Sequence, residues 1–72
     1  MITIDEFIEQ NKNCLRKGWI FMDLTYKWYF VFNKPTLIKG IWKTKPYEFV
    51  YPLSLFNIED IDDYKKSLKK VG

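Results

Sequence analysis

Between Trp19 and Asn33 the even positions are Ile20, Met22, Leu24, Tyr26, Trp28, Phe30 and Phe32, all apolar or aromatic. The odd positions mix Trp19, Phe21, Tyr29 and Val31 with Asp23, Thr25, Lys27 and Asn33. Side chains alternate between the two faces of a strand, so this period of two predicts β-structure with a strongly apolar even face. Ordinary strands run about 5–6 residues. The stretch therefore reads either as a hairpin broken near Asp23-Leu24-Thr25 or as one long, bent strand. Asn33-Lys34-Pro35-Thr36 is a turn with proline where its fixed φ is useful. Leu37 to Lys43 reads as a further strand with Gly40 as a bulge. After a second turn at Thr44-Lys45-Pro46, Tyr47 to Tyr51 alternates again, and Pro52 ends it.

The pattern changes at both ends of the chain. Thr3 and Glu6 form a capping-box signature, so a helix starts near Ile4. Ile4, Phe7, Ile8 and Leu15 lie near one face of it at helical spacing, and Gly18 is the stop. Near the other end, Asn57 is a candidate cap for a closing helix from Ile58 to about Lys70. Ile58, Ile61, Tyr64 and Leu68 keep helical spacing there, with acids first and lysines last as the macrodipole favours. The expected fold is α+β: an N-terminal helix, an antiparallel sheet of three or four strands and a C-terminal helix. At 72 residues the chain is read as a single small domain.

The aromatic content makes that order consequential. The chain holds 3 Trp, 5 Tyr and 6 Phe, and 11 of these lie between Trp19 and Tyr51. Each brings about 150–250 Å² of surface that favours leaving water. A chain this short buries only about 60% of the surface it exposes when unfolded. Three or four strands make a sheet roughly 14–19 Å wide, and packed helices sit about 8–10 Å apart. Two helices thus cover one face. If they take the even positions, the face carrying Trp19, Phe21, Tyr29 and Val31 stays open, and Trp28, Phe30 and Phe32 fill the core. Burying the rings with one helix on each face, or inside a small barrel, is the plainer alternative.

Charge adds to this picture. The formal net charge is +3. Charges nearly balance in the first and last segments, so the surplus lies in the middle, where Lys27, Lys34, Lys39, Lys43 and Lys45 outnumber Asp23 and Glu48. Lysine supplies 11 of the 12 basic residues, alanine is absent, and Ile, Lys, Phe, Tyr and Asn are frequent. That usage suits an AT-rich coding sequence of the kind phages and mobile elements carry.

Several chemistries lack the residues they need. Without histidine there is no His-based triad and no common imidazole metal site. Cys14 is the single cysteine, so no intramolecular disulfide forms; it is read as a small apolar residue on the first helix of a protein from a reducing compartment. No glycine-rich phosphate loop is present. Glu59, Asp60, Asp62 and Asp63 lack the spacing and turn glycine of a calcium loop, and they read as solvated first-turn acids. The N-terminus has no secretory pattern and no segment reaches the roughly 20 apolar residues of a membrane span, so a cytoplasmic location in a bacterial host is expected. No enzyme, cofactor or metal is expected.

What remains is binding. A non-catalytic domain with an aromatic and basic sheet face is expected to act by occupying another protein's surface, or a second copy of itself as a homodimer. Trp19, Phe21, Lys27 and Tyr29 are the expected contact residues, with Lys39, Lys43 and Lys45 supplying steering charge. Small phage-encoded inhibitors of host enzymes and nucleases, anti-CRISPR and other anti-defence proteins among them, are of this general kind. That placement rests on size, composition and elimination. The alternative is single-stranded nucleic-acid binding, with rings stacking on bases and lysines meeting phosphates. Mild charge, one arginine and the missing RNP-type motif weigh against it. The basic balance also weighs against mimicry of DNA.

Overall fold

The computed structural model describes residues 1–72. Helix α1, Ile4–Asn11, is followed by strands β1 (Gly18–Met22) and β2 (Trp28–Val31). A short hairpin comes next, β3 (Thr36–Ile38) and β4 (Ile41–Lys43). The chain closes with β5 (Tyr51–Pro52), a 3₁₀ turn at Tyr64–Lys66 and β6 (Lys69–Val71). The four-stranded sheet runs β5-β2-β1-β6 with every neighbour antiparallel, and β3-β4 forms a separate two-stranded ribbon. The architecture is α+β.

The capping box forms as the spacing predicts. The Thr3 hydroxyl accepts from the Glu6 amide at 3.1 Å, and Glu6 accepts from the Thr3 amide at 3.0 Å. Those bonds to Thr3 hold the Glu6 carboxyl below its ordinary range. The helix is shorter than expected, ending at Asn11, where the Asn11 side chain turns back to the Phe7 carbonyl. Cys14 consequently lies beyond it and is exposed rather than packed.

The long alternating stretch is a hairpin. Met22 pairs with Trp28, and a three-residue loop at Leu24-Thr25-Tyr26 reverses the chain, with Tyr26 left-handed at φ 62°. Asp23 organises the reversal: its Oδ1 accepts from the Thr25 amide, the Thr25 hydroxyl and the Lys27 amide. Ile20, Met22, Trp28 and Phe30 join Ile4, Phe7, Leu53, Ile58 and Val71 in the core beneath α1. Phe32 is not part of it. At 42% exposure it lies outside the cluster and stacks edge-on against Tyr51, itself exposed.

Three further expectations are corrected. Leu37 to Lys43 is two strands, and Gly40 is in the turn between them. Lys39 and Gly40 both take positive φ, 50° and 76°, the pairing a two-residue hairpin loop requires. Of Tyr47 to Tyr51 only Tyr51 joins a strand, and Pro52 continues that strand at the sheet edge instead of ending it. The closing helix is absent and only the 3₁₀ turn is helical. Its apolar positions serve other contacts: Ile58 enters the core beside a parallel bridge to Ile2, and Ile61 and Tyr64 pack against that core, while Val71 beyond them is buried in β6 beside β1. A closing helix would leave the β1 edge unpaired beside buried Ile20. Covering that edge outweighs the few tenths of a kcal/mol that helix propensity contributes per residue.

Ser67 completes this edge. It lies two residues before Lys69, opposite Met22, and its side chain replaces the ladder: Oγ accepts from the Met22 amide at 2.8 Å and lies 3.1 Å from the Met22 carbonyl. The residue is 0% exposed. Ser67→Ala leaves the Met22 amide without its buried acceptor, so a loss of about 1–3 kcal/mol is expected in urea unfolding. Gly18 answers to a different constraint, because a Cβ there would lie 2.5 Å from the Phe30 ring and 2.5 Å from the Val31 carbonyl. Gly18→Ala is expected to cost about 1–3 kcal/mol by overpacking, read in the same assay.

Candidate functional site: an aromatic cleft under the β3-β4 hairpin

The odd face of the sheet is covered, and not by a helix. The β3-β4 hairpin folds over it and is fastened through Tyr64. The Tyr64 hydroxyl donates to the Gly40 carbonyl at the hairpin tip, and the Trp42 indole Nε1 donates to the Tyr64 carbonyl at 3.1 Å. Trp42 thereby sits over Phe21, their ring centroids 5.8 Å apart, and Phe21 lies 5.7 Å from Tyr29 on its other side.

This cover changes the expected contact face. Phe21 is 4% exposed and belongs to the interior, as does Val31 at 0%. The open face carrying Trp19, Phe21 and Tyr29 together is thus corrected: Trp19 and Tyr29 are half-buried, and Phe21 is buried with only its edge left accessible. Trp19 has Lys34 above its ring, with Nζ 5.2 Å from the centroid. Lys27 is exposed beside the β1-β2 loop and lends its backbone amide to Asp23. Lys39, Lys43 and Lys45 are exposed along the hairpin and the segment after it.

The hairpin does not close flush. Between it and the sheet lies an open cleft of about 390 Å³ with seven hydrophobic residues among its ten. Phe21, Tyr29, Trp42 and Tyr64 provide its rings. The β1-β2 loop contributes Asp23, Leu24 and Thr25, while Ile41, Thr44 and Val50 complete the lining. The volume falls within the roughly 300–1,000 Å³ of ligand-binding clefts. Of the expected contact residues, Phe21 and Tyr29 are brought here. Trp19, Lys27, Lys39, Lys43 and Lys45 do not line it.

Asp23, Trp42 and Tyr64 are the residues that sequence reading missed as a group. Asp23 marked a break in alternation, which locates a loop but not what lies over it. Trp42 and Tyr64 are 22 residues apart in the chain and meet through a backbone carbonyl, which no periodicity signals. A second aromatic group, Phe32, Phe49 and Tyr51, lies exposed around the β5 edge, with Phe49 and Tyr51 centroids 4.4 Å apart.

No group of three or more acidic or cysteine side chains is placed to hold a metal ion, and no helix is long and apolar enough to cross a membrane. No protein-family model matches the chain, and neither the curated proteins nor the solved structures include a match.

Burial of the Tyr29 phenol raises its pKa above the ordinary 10.0, and Asp23 adds to the rise through its charge and as an acceptor. Folding therefore holds this proton more tightly than the unfolded chain does. The resulting stability is complete below about pH 10 and is lost as pH rises through the folded value. Alkaline titration of tyrosine absorbance is expected to show a late phase that Tyr29→Phe removes and Asp23→Asn moves to lower pH.

Proposed function

We propose that this chain is a non-catalytic binding protein that acts by occupying another protein's surface, with the hairpin cleft receiving a side chain of the partner. The observation that carries this reading is the cleft itself: a solvent-open, ring-lined recess on a chain without histidine or a metal-ligand cluster. Binding energy at protein interfaces concentrates where a few anchors fill well-formed pockets, and large rings dominate those places. Leu24 and Ile41 stand on the rim, 54% and 45% exposed, and widen the apolar footprint. Lys39, Lys43 and Lys45 surround it with positive charge suited to steering an acidic surface.

In its specific form the proposal is a stoichiometric inhibitor, carried by a phage or mobile element, that blocks a host defence protein. Its supports are small size, codon-linked composition and the lack of catalytic groups. The nucleic-acid reading draws less from the geometry. Of the rings expected to stack on bases, Phe21 is buried and Trp19 has Lys34 above it, and the exposed rings Phe32, Phe49 and Tyr51 lie apart from them at the β5 edge. Self-association by strand addition also gains little, because Pro52 occupies one sheet edge and Lys69 and Lys70 the other.

Affinity capture from a bacterial lysate, read by mass spectrometry, is expected to return one host protein in near-equal amount. Leu24→Glu combined with Ile41→Glu is expected to lose that protein while the melting temperature moves by only a few degrees. Equal capture by the variant would move the site elsewhere. Salt-sensitive tryptophan quenching by a short oligonucleotide would favour the rival reading.

A further inference from the structure

We propose that the group received by the cleft is a basic side chain of the partner, its charge held between the aromatic walls and Asp23; this rests on the cleft being the protein-binding site. The cleft's charge pattern selects that occupant. Of its ten lining residues only Asp23 is ionisable to a full charge at neutral pH, and four others carry aromatic rings. Ring faces are the negative pole of the aromatic quadrupole, so rings and carboxylate act with the same sign. A neutral aliphatic occupant would use the rings but force the carboxylate to lose water without repayment. An anion would be repelled by both. A lysine or arginine puts its apolar stem against the rings and its charge beside the carboxylate.

Asp23 carries a charge that no cation of the chain neutralises. The three bonds that organise its loop all fall on Oδ1, and the Tyr29 phenol beside it is a neutral donor to the same carboxylate. That carboxylate forms no ion pair, since the two in the fold are Lys12 with Glu9 and Lys69 with Asp5. Tyr29 beside it stays neutral well above physiological pH. The chain already uses the same contact elsewhere, with Lys34 lying over Trp19 at 5.2 Å.

Lys39, Lys43 and Lys45 do not cancel this preference. None of the three lines the cleft, whereas Asp23 does, and a cation over a ring acts within about 6 Å of its centroid. Together the two patterns describe the complement: one basic side chain projecting from an otherwise acidic surface.

The test titrates N-acetyl-arginine N-methylamide and its uncharged norleucine counterpart into the ¹⁵N-labelled chain, observing the Trp42 indole and the Phe21 amide. The arginine probe is expected to bind roughly 2- to 30-fold more tightly than the norleucine probe. Asp23→Asn keeps the oxygen that organises the loop and is expected to remove most of that preference, weakening the arginine probe while norleucine binding holds or tightens. Equal or stronger binding of norleucine overturns the cationic occupant while leaving a protein-binding cleft intact. Tighter binding of tetramethylammonium than of the arginine probe overturns it in favour of a free organic cation. No shift with any probe also overturns it, and the capture experiment then decides separately whether the chain binds a protein.

Discussion

A sheet with apolar residues on both faces needs cover on both, and one eight-residue helix can supply only one. Everything distinctive about this protein follows from how the second face is covered. The hairpin between β2 and β5 leaves the sheet and lies across Phe21, held by the Tyr64 hydroxyl at Gly40 and the Trp42 indole at the Tyr64 carbonyl. Those two bonds run in opposite directions between Tyr64 and the turn and β4 of the ribbon. They fix its position more firmly than its own short ladder would, since an isolated two-stranded ribbon is marginally stable in water.

The same Tyr64 belongs to the turn that delivers Ser67 to Met22 and the last strand to the edge of β1. Edge closure, hairpin docking and the cleft wall therefore share one short segment. This sharing ties the cleft to the same contacts that close the fold, although its lining comes from segments distant in sequence. A preformed recess loses less ordering entropy on binding than a loop that must be arranged first.

Local conformational cost concentrates in the turns, at Tyr26, Lys39 and Tyr47, none of which lines the cleft. Tyr26 and Lys39, at the tips of the two hairpins, hold left-handed backbone that glycine would adopt more easily. Residues held this way persist when surrounding contacts determine them, here the Asp23 bonds on one side and the Tyr64 bond to Gly40 on the other.

Local patterns carried the first helix's start, the alternation of β1 and β2, and the absence of histidine chemistry, because capping, side-chain period and residue inventory are properties of neighbours in the chain. They also named Phe21 and Tyr29 as important rings, though for a surface that the hairpin covers. Local spacing misled where two solutions satisfied it. Ile58, Ile61, Tyr64 and Leu68 suit a helix face, yet the β1 edge and the exposed odd face of the sheet needed partners more. The pairing of Ser67 with Met22, of Tyr64 with Gly40 and Trp42, and hence the cleft with Asp23 at its rim, was decided only in three dimensions. Unpaired backbone and uncovered rings there outweigh the small preferences that any single segment expresses alone.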